Sequence, residues 1–494
     1  MLFNSYVFIF LFLPLTLLGY VLLGRTRSHP LVAFWLVLAS LVYYGWWGAK
    51  YVLLFLVLIA FNYGMGNWLI RETRDPRRRA LLAFGIVVNL AVLLHFKYTN
   101  FVLDTVNTLT GAHYAFEKIV LPLGISFFTF QKIAYLVDAY RHEVKKYTFL
   151  DFCLFVTFFP QLIAGPIVHH KEILSQFANR TRFRLKSTDV AVGLTIFAIG
   201  LFKKVMLADS VAVYANPIFD AARAGTAPTF FEAWLAAISY SLQLYFDFSG
   251  YTDMAIGMAR LFSIRLPLNF HSPYKSVNIT EFWRRWHMTL SRFLRDYLYI
   301  PLGGNRKGPV RRYANLMATM LLGGLWHGAG WNFVVWGGLH GLYLCLNHAW
   351  QAWRGPARPA WYGTVAGVLL TNLAVVVAWV FFRATDFGSA FHVLKSMAGL
   401  NGLSLVWSQD ASRLVAAAWV MGLVLFVWLL PNTQQLMERY RPAFDFARVA
   451  KERVLLQRWL RWRPVAPWAL LTAAAAAVAI VNLSKVMEFI YYQF

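Results

Sequence analysis

The sequence predicts an all-α integral membrane protein, and three observations carry that expectation. Of its 494 residues, 59% are hydrophobic and only 14% charged, against about 45–50% and about 25% in soluble domains. Apolar runs of about 20 residues, the length that crosses a bilayer, recur along the whole chain. Lys and Arg number 47 against 22 Asp and Glu, for a net charge of +25. On so apolar a background that excess fits loops facing a cytoplasm and anionic headgroups, and nucleic acid is not an expected partner.

Candidate spans run near 6–24, 31–48, 51–70, 80–97, 118–137, 187–206, 229–246, 313–326, 330–349, 362–382, 412–430 and 464–483. Segments 150–168 and 252–263 are apolar but short or interrupted by Pro and Gly. Irregular backbone is tolerated at membrane depth only where it is buried in protein or lines a cavity. The expected count is therefore about 11–13 transmembrane helices with re-entrant or interfacial segments besides. The opening MLFNSYVFIFLFLPLTLLGY has no basic n-region and no small-residue cleavage site, so it reads as a retained first span. No internal repeat or low-complexity linker is visible. The expected organisation is a transmembrane core over 1–430, a basic cytoplasmic loop over 431–463, and a last span with an aromatic tail over 464–494.

Basic residues orient the chain. The loop Arg71–Arg79 carries five arginines and is expected inside, which puts the N-terminus outside, the segment 98–117 outside, and Arg141, Lys145 and Lys146 inside. The stretch 438–463 holds eight Lys and Arg and is expected inside, so the tail after 483 falls outside. Cys153 and Cys345 sit in apolar stretches without metal or disulfide spacing and read as small buried hydrophobes. No metal site is expected.

Ionisable groups within spans are functional candidates by default, and they concentrate over 240–345, the expected donor and catalytic region. Gln243, Asp247 and Asp253 sit in QLYFDFSGYTDMAIG. The two carboxylates either face a polar cavity or bond backbone at a break at Ser249-Gly250. Next comes ITEFWRRWHMTLSRFLRDYLYIPLGGNRKGPVRR, where helical spacing puts Arg284, His287, Ser291 and Arg295 on one face. Its basic residues, among them Arg284, Arg285, Arg292 and Arg295, are opposed only by Asp296 between 284 and 312. A basic cluster beside an apolar wall suits a phosphorylated donor with a long organic arm, which is the chemistry of coenzyme A. An ordinary positive-inside loop would look the same from charge alone.

The run LLGGLWHGAGWNFVVWGGLHGLYL places Trp326 and His327 among Gly323, Gly324, Gly328 and Gly330, with His340 in the next span. The glycines allow a narrow cavity, to which Trp326 and His340 are assigned. Acyl transfer from a thioester to a hydroxyl needs a base, and imidazole suits neutral pH. The oxyanion needs donors, which His287, an Arg or an indole N–H could supply. No Gly-x-Ser-x-Gly elbow, Cys–His pair or metal-ligand spacing is present. The chain ends MEFIYYQF, so Phe489, Tyr491 and Phe494 form an F-x-Y-x-x-F pattern; by composition alone this is an interfacial aromatic belt.

Taken in order, FLFLPLTLLGY, FKYTNF, LPLGISFFTF, FFPQLIAGPI, QLYFDFSGYTDMAIG, the R-R-W-H segment and TMLLGGLWHGAGWNF resemble the membrane-bound O-acyltransferases, in the bacterial branch that O-acetylates exported polysaccharides. The alginate O-acetylation membrane subunit is the member of that branch it resembles in particular. The resemblance covers nearly the whole chain. It implies the fold of that family, with a funnel to a buried centre, His327 as the signature histidine and His287 as the second. It also implies acetyl-CoA taken from the cytoplasmic side of the bacterial inner membrane and acetyl delivered outward. It further implies a C-terminal tyrosine hydroxyl, here Tyr491, as a carrier, with Tyr492 its rival. The partners implied are a periplasmic SGNH hydrolase-like acetyltransferase and other polysaccharide modification and export proteins. Alginate is the first expectation for the polymer, with cellulose and peptidoglycan behind it. Competing readings are a lipid or protein O-acyltransferase, or a transporter or scaffold of a polysaccharide export complex; broken helices fit a transporter, the missing repeats do not.

Overall fold

The computed structural model describes all residues except 113, 115, 116, 179–184, 356–359, 404–410, 449–455, 458, 486–489 and 491–494. Among the described residues the regular structure is helical, with no strand. In chain order the first α-helices are α1 (Leu13–Gly24), α2 (His29–Gly45), α3 (Lys50–Arg71), α4 (Asp75–Thr110), α5 (Ile125–Tyr140), α6 (Phe149–Thr157), α7 (Phe159–Leu162) and α8 (His170–Phe177). Next come α9 (Ser187–Phe202), α10 (Asp209–Arg223), α11 (Phe230–Leu261), α12 (Ile279–Arg285), α13 (Met288–Leu294), α14 (Gly308–His327) and α15 (Trp331–Arg354). The last are α16 (Trp361–Arg383), α17 (Phe387–Met397), α18 (Ala411–Leu429), α19 (Thr433–Leu436) and α20 (Ala466–Val481). Between α9 and α10 the helical path continues as a π-helical turn, Lys203–Ala208.

Every span expected from sequence overlaps a helix, although the one at 118–137 becomes helical only at Ile125, and the helices differ in kind. Five are long and apolar enough to cross a membrane: Lys50–Arg71, Asp75–Thr110, Ser187–Arg223, Trp361–Arg383 and Ala411–Leu429. Three more, Phe8–Gly24, His29–Gly45 and Ala466–Val481, are apolar but shorter. The expected eleven to thirteen is therefore not reached on length and apolarity among the described residues. The reason is visible in α5, whose Gln131, Lys132 and Asp138 are buried in protein; a helix shielded by other helices need not be apolar itself. The outer loop expected at 98–117 is helical to Thr110, where Gly111 ends α4 in the left-handed region at φ 68°.

The chain divides into two compact units interleaved in sequence. The first comprises Met1–Ala198, Tyr251–Pro267 and Pro442–Asp445. Aromatic rings fill its core: Phe8, Phe12 and Tyr43 surround Phe159 at centroid distances of 5.2–6.1 Å. Asn62 of α3 and Asn89 of α4 exchange amide hydrogen bonds of 3.0 and 2.8 Å, satisfying polar groups that apolar surroundings would otherwise penalise. The Pro-interrupted stretch near 150–168 is the short helices α6 and α7 followed by irregular backbone, buried throughout apart from half-buried Leu150 and Asp151.

The second unit comprises Ile199–Gly250, Leu268–Arg441 and Phe446–Phe494. Its centre is the α14–α15 hairpin. Glycine makes that contact possible: a Cβ on Gly337 would lie 2.3 Å from the Met320 carbonyl oxygen, and one on Gly324 would lie 2.2 Å from that of Phe333. The backbones touch where any side chain would intrude.

Two local expectations are corrected. No break occurs at Ser249-Gly250, nor does 252–263 stand apart from 229–246, because α11 is one helix from Phe230 to Leu261. Gly250 is needed for approach, not for bending: a Cβ there would meet the Gly200 carbonyl oxygen at 2.7 Å. Conversely, Arg284, His287, Ser291 and Arg295 do not share a helical face. The chain breaks between α12 and α13, with Trp286 extended and His287 left-handed at φ 42°. Backbone bonds from His271 N–H to Arg285 O (2.9 Å) and from Met288 N–H to Asn269 O (2.9 Å) hold the break open. A neighbouring strand of irregular chain thus replaces the helical bonds that the pattern alone would favour.

Candidate active site

The site is assembled in the second unit from the α12–α13 break and the end of α14. His287 is fully buried. Its Nδ1 lies 3.0 Å from Asn269 Oδ1. That oxygen also accepts from the Thr289 hydroxyl at 3.0 Å and from the Thr289 N–H at 3.4 Å. The N–H can only donate, which identifies that atom as the carbonyl oxygen of the amide. A neutral His287 then carries its proton on Nδ1 and presents Nε2 as the basic nitrogen. Phe248 of α11 packs its ring edge-on to the His287 imidazole at 4.8 Å.

His327 is the last residue of α14 and is 4% exposed. The extended Gly328 and Gly330 that follow carry the chain into α15. The His327 and His287 rings are 6.4 Å apart, and Trp326 packs 4.9 Å from His327 and 6.3 Å from His287. Trp336 and Phe382 complete the wall against His327, at 5.0 and 5.4 Å. A helix C-terminus carries partial negative charge and favours a cation there, so the imidazolium formed when His327 takes a proton is stabilised by its own helix.

The remaining candidates separate by role. His340 is fully buried, and its Nδ1 accepts a hydrogen bond from the Trp283 indole at 3.3 Å. Its contacts with Trp283, Trp336 and Trp379 make it part of the aromatic wall behind His327. Of the four arginines, Arg285 is bonded through Nε and Nη2 to Glu281, and Arg295 pairs with Asp296 at 2.7 Å. Arg284 is exposed and Arg292 half-buried. Asp253 is buried in the first unit, whereas Asp247, of the second, is buried against Lys204 at 2.8 Å. Tyr491 and Tyr492 lie outside the described residues.

Sequence reading passed over Asn269, which orients His287, and Lys204, which pairs with Asp247. The signal for Lys204 was present: a lysine near the end of an apolar run is costly unless paired. Nothing local marks Asn269, whose role arises only from the fold. Among the described residues no group of three His, Cys, Asp or Glu is placed to hold a metal ion.

Comparison with known proteins follows the same lines. The family model described as MBOAT, membrane-bound O-acyltransferase family, matches residues 25–384. The chain is 46% identical to the peptidoglycan O-acetyltransferase of Helicobacter pylori, over 84% of this chain and 83% of that one. It is 43% identical to a protein of Pseudomonas aeruginosa named probable alginate O-acetylase AlgI, over 80% and 75% of the two chains. A more distant similarity, 31% identity over 46% of this chain and 57% of the other, is to the teichoic acid D-alanyltransferase of Streptococcus thermophilus.

Proposed function

The chain belongs to the membrane-bound O-acyltransferase family, and from that premise we propose that it carries acetyl from cytoplasmic acetyl-CoA across the bacterial inner membrane to O-acetylate an exported polysaccharide. The observation that carries this reading is the pair His287 and His327, both buried, with rings 6.4 Å apart. Relatives named for alginate and for peptidoglycan support a polymer of that kind as the final acceptor.

The chemistry assigns a role to each group. Acetyl-CoA docks its phosphates on the basic segment from Arg284, with Arg292 beside it, and extends its thioester toward His327. His327 takes the proton of an incoming hydroxyl while the oxygen attacks the thioester carbonyl. The Asn269-oriented His287 positions the donor at the reacting carbon. The Trp326 indole lies beside both rings and could donate to the oxyanion. As the C–S bond breaks, the thiolate leaves and takes up the proton held on His327, giving an ester and free coenzyme A. The hydroxyl is that of Tyr491, whose ester a periplasmic acetyltransferase of the SGNH hydrolase-like type passes to the sugar.

The test is mass spectrometry of the purified protein after incubation with acetyl-CoA, beside His327→Ala. An acetyl adduct on the C-terminal peptide of the wild type, absent from the variant, supports donor, base and carrier together. Coenzyme A release without an adduct on that peptide would overturn the carrier assignment. An adduct of equal yield in folded His327→Ala would overturn the base.

A further inference from the structure

The last described residue before Tyr491 is fixed to the core by an arrangement that the transfer chemistry above does not use. Ile490 is buried, and its backbone N–H donates to Asp247 Oδ2 at 3.0 Å. The other carboxylate oxygen of Asp247 lies 2.8 Å from Lys204 Nζ, which also lies 2.8 Å from Asp209 Oδ1. Asp247 is 1% exposed and Lys204 2%. A carboxylate so far from water is costly unless paired and hydrogen-bonded. One oxygen meets the ammonium and the other is turned to the tail.

Local geometry suits this purpose. Lys204 stands on the π-helical turn Lys203–Ala208, and such widened turns are frequent at functional sites. Gly250 lets α11 approach that turn, since a Cβ there would come within 3.1 Å of the Lys204 backbone nitrogen. Asp247 is also the immediate neighbour of Phe248, the residue whose ring packs against His287. One stretch of α11 therefore touches both the tail and a histidine of the proposed centre.

We propose that Asp247, held by Lys204, which Asp209 also binds, is a positioning residue that grips the backbone of Ile490 and so sets the register of the C-terminal tail for acyl transfer. This rests on the reading of Tyr491 as the carrier. The grip is on main chain, so it fixes where the next residue begins without depending on the side chain at 490. An ionised acceptor makes the bond charge-assisted and therefore stronger than a neutral one. Tyr491 follows directly, its Cα tethered about 3.8 Å from that of Ile490.

The experiment uses full-length protein and reads two quantities: the rate at which acetyl appears on the C-terminal peptide at a fixed acetyl-CoA concentration, and the melting temperature. Asp247→Ala should lower tail acetylation at least about tenfold, the loss of one charge-assisted hydrogen bond, while Asp247→Asn, which keeps an oxygen acceptor, falls between. Ile490→Pro removes the N–H, along with the Ile side chain, without altering Asp247, Lys204 or Asp209 themselves. It should reproduce the Asp247→Ala loss with a smaller fall in melting temperature than Asp247→Ala, whereas Ile490→Ala, which trims the side chain and keeps the N–H, should acetylate normally. Normal acetylation in Ile490→Pro would overturn the proposal, even if the Asp247 variants fail to fold. If the wild-type tail takes no acetyl, the carrier reading has failed and the grip is judged by hydrogen exchange. Faster exchange of the C-terminal peptide alone in Asp247→Ala would then uphold the grip, and unchanged exchange would overturn it.

Discussion

The imidazoles of His287 and His327 are 6.4 Å apart, and the indole of Trp326 lies beside both, 6.3 Å from the first and 4.9 Å from the second. In the proposed mechanism they act on one reacting centre, and groups that act as a unit are non-additive when removed. His327→Ala should therefore lower acetyl transfer about 100- to 10,000-fold, the range of a lost general base. His287→Ala should cost less. The double variant should be no slower than His327→Ala alone. Coenzyme A release and peptide acetylation, measured on folded protein, check the cycle; multiplicative losses would separate the two histidines.

Asn269 gives a subtler expectation. Its Oδ1 takes the His287 Nδ1–H and both Thr289 donors. Asn269→Leu removes the acceptor at similar volume and frees the imidazole to adopt the other tautomer. Partners that orient a functional histidine typically matter about 10–100-fold, and that loss is expected here in kcat with little change in KM for the donor. A rise in KM alone would place Asn269 in donor binding.

The expectations that held were those resting on composition and on ordered motifs. Helices were legible because apolar runs of span length leave few alternatives, and the neighbourhood of His327 was legible because glycine and tryptophan crowd it. What escaped was set by contacts distant in sequence. The α12–α13 break cannot be read from ITEFWRRWHMTL, since its cause is backbone pairing with Asn269 and His271. The continuity of α11 through Gly250 escaped for the opposite reason. Glycine suggests a break locally, yet here it serves close approach to Gly200. Asp247 was recognised as costly, but its partners, Lys204 and the Ile490 N–H, come from the π-turn and from the far end of the chain.

The α14–α15 contact makes a stability prediction. Gly337→Ala would place a methyl 2.3 Å from the Met320 carbonyl oxygen, where backbone cannot yield. Overpacking of this kind costs about 1–3 kcal/mol. The adjacent Gly338→Ala meets only the flexible end of Leu321 at 3.5 Å and should be tolerated. Thermal unfolding in detergent, read by a fluorophore sensitive to newly exposed thiols, distinguishes the two; equal melting temperatures would refute the close approach.

The arginines should divide into two classes. Arg284 is exposed, whereas Arg285 is bonded to Glu281 within α12 and to the His271 carbonyl. Arg284→Gln is expected to raise KM for acetyl-CoA, with wild-type KM itself rising with salt as a phosphate contact requires. Arg285→Gln should instead lower the melting temperature, because Glu281 and the His271 carbonyl lose their donor. Kinetics at two ionic strengths, beside a melt of each variant, test this. A melting loss in Arg284→Gln and none in Arg285→Gln would reverse the assignment.

The start of α17 yields an expectation in pH. Asp386 caps that helix, its Oδ1 accepting from the Ser389 N–H at 2.8 Å. That bond, with a smaller contribution from the Thr385 hydroxyl, holds the Asp386 carboxyl below its ordinary range. A carboxylate favoured in the native state stabilises it above the unfolded value of about 3.9. Its contribution is lost as pH falls through the lower native value. Asp386→Ala should cost about 1 kcal/mol at neutral pH, as for a lost N-cap. The gap in melting temperature between wild type and variant should stay constant from about pH 7 to about pH 5 and narrow below about pH 4. It should not close completely, because a protonated carboxyl still offers an oxygen to the Ser389 N–H. A gap that widened on acidification would mean the charge, not the cap, had been misjudged.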